Sequence, residues 1–143
     1  MNCKKVAVFI SGQGTNLQAI IDASRRKFIP IEIVLVVTNK KDAGGVKIAQ
    51  SANLPIFYLD EENKTREEYD EYLVRNCSDY HVDLIILAGW MRILSKVLIN
   101  SYINKIINIH PALPGQYPGT NAIKRAYIDA QEGKIKATGI MVH

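Results

Sequence analysis

The stretch "KVAVFISGQGTNLQAIIDA", residues 5–23, holds a complete strand–turn–helix unit. Val6 to Ile10 is an unbroken apolar run, which with Lys5 reads as a short β-strand. Ser11-Gly12-Gln13-Gly14 then breaks the run with two glycines. From Thr15 to Ala23 the apolar residues Leu17, Ile20 and Ile21 fall at helical spacing, and Thr15 with Gln18 predicts a capping box. A strand feeding a helix through a tight turn is the repeating piece of an α/β fold.

The rest of the chain repeats it. Ile31–Thr38 reads as a second strand, Gly45–Ala52 as a short helix and Pro55–Leu59 as a third strand. Lys64–Tyr80 predicts an amphipathic helix with Tyr69, Tyr72 and Leu73 on its inner side. Val82–Ala88 and Lys105–Ile109 predict a fourth and a fifth strand, Asn121–Glu132 a helix, and Lys136–His143 a last strand. Strands apolar on both faces, separated by helices, imply a mostly parallel, twisted sheet covered by helices on both faces. With no repeat or linker, the 143 residues are expected to form one domain, 1–143. Such sheets bind ligands at the carboxyl ends of their strands.

Three of those ends carry chemistry. The loop after the first strand exposes backbone N–H groups at a helix start, which suits an anion. A dinucleotide loop would need a third glycine where Leu17 stands, and an acidic residue where Thr38-Asn39-Lys40 stand. No Gly-Lys-Ser/Thr follows either, so a loop for one phosphate group remains. A plain glycine turn capped by Thr15 uses the same residues. After the fourth strand, Gly89 leads into Trp90, Met91, Arg92, Ile93 and Leu94, which suit a flat, partly apolar ligand. A core-packing connection with a solvated Arg92 is the other reading. After the fifth strand, Asn108 and His110 are two residues apart and share one face. A histidine moves protons near neutral pH, and an asparagine amide donates to a developing oxyanion without titrating. With no serine or cysteine elbow in these loops, the pair fits direct acyl transfer to an external amine. Pro111, Pro114 and Pro118 stiffen the loop behind them.

Composition narrows the partners. With 48% hydrophobic and 22% charged residues and a net charge of +4, the chain reads as a soluble domain that attracts small anions. The basic clusters Lys4-Lys5, Arg25-Arg26-Lys27 and Lys40-Lys41 lack interleaved aromatics and a common face, so no nucleic-acid partner is expected. No apolar run reaches membrane-spanning length, and no signal peptide is visible. Cys3 and Cys77 have no metal-ligand spacing, so reduced thiols, a cytoplasmic location and no metal are expected.

Three segments, in order along the whole chain, together resemble the phosphoribosylglycinamide formyltransferase family, folate-dependent enzymes of purine biosynthesis. "ISGQGTNLQAIIDA" resembles its phosphate loop, "LAGWMRILS" its folate-pocket segment, and "NIHPALPGQYPGT" its catalytic Asn-x-His-Pro segment. The resemblance implies a Rossmann-like formyltransferase fold and formyl transfer from 10-formyltetrahydrofolate, as co-substrate, to the amine of 5-phosphoribosylglycinamide. It implies that Gly14, Thr15 and Asn16 hold the ribonucleotide phosphate. Arg66, Met91, Arg92, Ile93, Leu94 and Asn108 would contact the folate, and Asn108 and His110 would be catalytic. It also implies a third catalytic group, an aspartate beyond "TGIMVH" that lies past His143. The expectation is therefore a C-terminally incomplete domain, itself poorly active, whose apolar edge favours a homo-oligomer. Superfamily relatives that hydrolyse formyl-tetrahydrofolate or formylate initiator tRNA share Asn-x-His-Pro but not the first loop. Formyl-tetrahydrofolate hydrolysis, and a non-catalytic module for a phosphorylated ligand, are the alternatives.

Overall fold

The alternation of apolar runs and amphipathic segments builds a six-stranded sheet. The computed structural model describes residues 2–119 and 121–143. It divides into two units, one ending at Ile107 and one spanning Asn108–His143.

In the first unit β1 (Lys4–Ile10), β2 (Ile31–Thr38) and β3 (Ile56–Tyr58) are joined by α1 (Thr15–Arg25) and α2 (Gly44–Ser51). α3 (Arg66–Asp79) leads to β4 (Leu84–Leu87), and α4 (Lys96–Ser101) follows. β1 pairs in parallel with both β2 and β4, and β2 with β3. Val6 to Ile10 are wholly buried and split by parity, since successive side chains face opposite ways. Val6, Val8 and Ile10 join Leu17, Ile21 and Ala49 of α1 and α2 on one face. Ala7 and Phe9 join Tyr69, Leu73, Cys77 and Leu98 of α3 and α4 on the other. Helices thus cover both faces of this sheet, as the apolar pattern requires. The register against β2 slips after Val6, which pairs with Ile33 while Ala7 pairs with Leu35. The extra residue, Val34, turns toward the same face as Leu35, as a bulge does.

The helix starts differ from expectation. Thr15 is not a cap: Gly14 holds that position in a left-handed conformation, φ 83°, with no side-chain cap bond. Gln18 instead donates to Asp22. The capping box lies on α3, where Thr65 Oγ1 accepts from the Glu68 N–H and Glu68 accepts from the Thr65 N–H. Tyr72 is exposed, and the inner face of α3 is Tyr69, Asp70, Leu73 and Cys77. Buried Asp70 accepts from the backbone N–H of Ser95, the N-cap of α4, at 2.6 Å. α4 has only six residues, too few for a sequence period to announce it. Cys3 and Cys77 are both free thiols, and burial pushes the Cys77 thiol up to about 12.

β5 (Ile106–His110) begins in the first unit and ends in the second. Within the second unit it is followed by α5 (Ala122–Gln131) and β6 (Met141–Val142), which pairs antiparallel with it. The expected last strand is thus much shorter than Lys136–His143. The residues ahead of Met141, with Gly139 among them, run irregularly. Thr120, at the end of the proline-rich loop, lies outside the described residues.

Candidate active site

The carboxyl ends of four parallel strands in the first unit are tied by one chain of polar contacts. Ser11 follows β1, Asn39 follows β2, Glu61 lies three residues past β3, and Met91 and Arg92 lie four and five residues past β4. The Met91 N–H donates to Ser11 Oγ at 2.9 Å, and Ser11 Oγ donates to Asn39 Oδ1 at 2.6 Å. Asn39 Nδ2 donates to Glu61 Oε1 at 2.5 Å, and Glu61 Oε2 pairs with Arg92 Nη1 at 3.0 Å. The contacts leave residue 91 and return to residue 92, closing a ring. The Arg92 guanidinium lies 3.8 Å from the Tyr69 ring centre, a cation–π stack. The Tyr69 hydroxyl donates to the Leu59 carbonyl. Burial works to raise the Glu61 carboxyl, but the Asn39 amide and the Arg92 guanidinium outweigh it and hold it below the usual value of 4.5.

Arg92 is therefore not the solvated residue of the core-packing reading; its side chain is 16% exposed. Its neighbours alternate: Met91 and Ile93 are exposed, while Trp90 and Leu94 pack on the core. The exposed pair is available to an apolar ligand surface, and the inward pair anchors the segment.

The first loop rests on α2. Gly45 N–H donates to the Gly12 carbonyl at 3.1 Å, and a Cβ on Gly14 would lie 2.5 Å from Gly45 Cα. Thr15 and Asn16 are exposed in the first turn of α1, whose N–H groups point out of the helix end, a setting that suits an anion. Beside this loop a cavity of about 600 Å³ is lined by Ser11, Gly12, Gln13, Asn39, Lys40 and Glu61, among others. Arg66 stands apart from these contacts. It is exposed at the first position of α3, where a cation opposes the helix dipole, and forms no ion pair among the described residues.

In the second unit Asn108 and His110 lie on one face of β5, as their spacing requires. Asn108 and His143 exchange both backbone hydrogen bonds, at 2.6 and 3.0 Å, so their side chains stand on the same side. Asn108 Nδ2 donates to His143 Nε2 at 2.9 Å. His110 Nε2 lies 3.0 Å from the Gln116 carbonyl. A carbonyl only accepts, so Nε2 carries the proton and neutral His110 has its lone pair on Nδ1. The proline-rich loop is held by α5 as well as by its prolines. Arg125 donates to the carbonyls of Tyr117 and Pro118, and the Tyr117 hydroxyl donates to Asp129 at 2.8 Å. Burial and that carboxylate push the Tyr117 hydroxyl pKa upward.

Sequence reasoning passed over Ser11, Asn39 and Glu61 in the first unit, and Gln116 and His143 in the second. For two of them a signal was present, since Ser11 and Asn39 each directly follow a strand's carboxyl end. Among the described residues no group of three or more His, Cys, Asp or Glu could hold a metal ion. No helix there is long and apolar enough to cross a membrane.

Residues 4–143 match the family model described as formyl transferase. A phosphoribosylglycinamide formyltransferase of Dictyostelium discoideum is 45% identical over 96% of this chain and 74% of its own length. The trifunctional purine biosynthetic protein adenosine-3 of Drosophila melanogaster is 42% identical over 98% of this chain but only 10% of its own. The crystal structure of glycinamide ribonucleotide transformylase 1 from Geobacillus kaustophilus superposes with a TM-score of 0.90 at 35% identity, covering 99% of this chain and 73% of that one. The chain belongs to the formyl transferase family.

Proposed function

We propose that this member of the formyl transferase family moves a formyl group from 10-formyltetrahydrofolate to the amine of 5-phosphoribosylglycinamide. The amine nitrogen attacks the formyl carbon, the carbonyl oxygen becomes an oxyanion, and the bond from carbon to the folate N10 breaks. The amine loses a proton and N10 gains one, so no redox partner or metal is needed. Asn108 Nδ2 is the donor for the oxyanion. His110, with its lone pair on Nδ1, takes the amine proton and returns it to the departing nitrogen. Gly14, Thr15 and Asn16 hold the phosphate with helix-start N–H groups. The segment Met91 to Leu94 flanks the pterin ring, with Met91 and Ile93 on its open side and Arg92 and Leu94 behind them, and Arg66 meets the anionic end of the folate. Residues 1–143 belong to a formyltransferase-type domain, and the protein works in the cytoplasm.

The observation that carries this reading is His110 held by the Gln116 carbonyl on the same face as Asn108. That carbonyl holds the proton on Nε2 and leaves the Nδ1 lone pair free, as a proton carrier beside an oxyanion donor requires. The test is formyl transfer measured with both substrates, in the natural protein and in its His110→Ala and Asn108→Ala variants. Each variant is expected to lose about 10²–10⁴ of kcat with ribonucleotide affinity nearly unchanged. Normal turnover in both variants overturns the roles of Asn108 and His110. Formate release without any amine acceptor would point to the hydrolase instead, and ribonucleotide binding without folate binding to a non-catalytic module.

A further inference from the structure

We infer that Asn39 and Glu61 are positioning residues for the folate-binding segment, an inference that rests on the proposed formyl transfer and deepens it. Neither side chain belongs to the first loop or to the Met91–Leu94 segment, yet each is tied to one of them. Glu61 receives Asn39 Nδ2 on one oxygen and Arg92 Nη1 on the other, at 2.5 and 3.0 Å. Asn39, 5% exposed, passes the constraint through Ser11 to the Met91 N–H. Two adjacent residues of the segment, 91 through its backbone by way of Ser11 and Asn39 and 92 through its side chain, are thereby tied to one carboxylate. Met91 and Ile93 remain exposed, so the ring holds the segment from behind while its outer side stays open to a ligand.

The chemistry selects these residue types. Only an ionised carboxylate accepts from an amide and a guanidinium at once with an oxygen for each. The Asn39 amide accepts from the Ser11 hydroxyl on its oxygen while donating to that carboxylate from its nitrogen. Arg92 is further clamped against the Tyr69 ring, so loss of Glu61 frees one side of the guanidinium and not the other. The ring therefore sets the direction of Arg92 and the backbone of Met91 without touching the reacting atoms.

The test uses Glu61→Gln and Glu61→Ala in the full chain, with three measurements: tetrahydrofolate affinity, ribonucleotide affinity, and hydrogen exchange of the Met91 amide. Gln keeps an acceptor for Asn39 but removes the charge facing Arg92; Ala removes both. Folate affinity is expected to fall about tenfold in the Gln variant and further in the Ala variant, as for hydrogen bonds to charged groups. Met91 exchange should accelerate in the same order, with ribonucleotide affinity within about twofold of the unmodified chain. Unchanged Met91 exchange, unchanged folate affinity, or an equal loss for both ligands overturns the inference, the last by showing a general structural role. If the unmodified chain binds no tetrahydrofolate, the proposed function fails, and faster Met91 exchange in the variants still decides whether the ring holds the segment.

Discussion

Replacing Gly14 by alanine should damage the first loop far more than the same change at Gly12, two residues earlier. Gly14 has φ +83°, and an added Cβ would lie 2.5 Å from Gly45 Cα, 3.1 Å from Ile48 Cδ1 and 3.2 Å from the Gly45 nitrogen. The first contact is with backbone, which cannot rotate away. The left-handed conformation costs a residue with a Cβ about 1–2 kcal/mol, and relieving the overlap about 1–3 kcal/mol more. The expected loss is about 2–5 kcal/mol, a large part of the roughly 5–15 kcal/mol that holds a domain folded. At Gly12 a Cβ meets nothing within 4 Å and φ is not in the left-handed region. Alanine there is neutral or stabilises by up to about 1 kcal/mol through the unfolded chain. Gly45→Ala is intermediate: its Cβ would meet Ile10 Cδ1 at 2.5 Å, a side-chain end that can move, and backbone only at 3.2 Å, at Gly14 Cα. A gain of about 1 kcal/mol in helix propensity offsets part of that cost. Urea unfolding reads all three, with an expected midpoint drop of about 1–3 M for Gly14→Ala at constant slope. Ribonucleotide binding should weaken in that variant alone, because its loop must move off α2. Gly14→Ala and Gly12→Ala agreeing within about 0.5 kcal/mol would refute the packing argument.

Thr65→Ala removes a cap that Thr15→Ala does not, so it should cost about 1 kcal/mol against nearly nothing, read as a difference in thermal midpoint. Asp70→Leu strands the Ser95 N–H and should destabilise by about 1–3 kcal/mol, whereas Asp70→Asn keeps an acceptor and should lose less; equal losses in urea melts would count against the hydrogen bond. The Glu61 carboxyl is held below its usual 4.5 in the folded chain, so its stabilisation is present above that value and fades as pH falls through the lower folded value. The unmodified chain should therefore lose stability more steeply in acid than Glu61→Gln, and parallel acid limbs in the two melts would contradict this.

The strands were legible because burial on both faces leaves unbroken apolar runs. Val6–Ile10 and Ile31–Thr38 show the pattern, and both stand as strands flanked by helices. Asn108 and His110 were legible as a pair because a strand has a period of two. Less visible were features set by backbone geometry. A threonine three residues before a glutamine suits a capping box at Thr15, yet the turn places Gly14 at the cap, and the box forms at Thr65. Tyr72 and Leu73 look alike to a helical period, but only one faces the sheet.

By itself the sequence determined the α/β alternation, the family, and which strand ends carry polar residues, since these depend on residue type and spacing along the chain. Only the tertiary structure decided that Ser11, Asn39, Glu61 and Arg92, spread over 82 positions of the chain, meet in one ring. That meeting depends on the strand order β3-β2-β1-β4, which sets residues from distant loops side by side at the carboxyl ends of the strands. A hydrogen bond needs two groups within about 3 Å, and separation along the chain says nothing about that distance once parallel strands have been stacked.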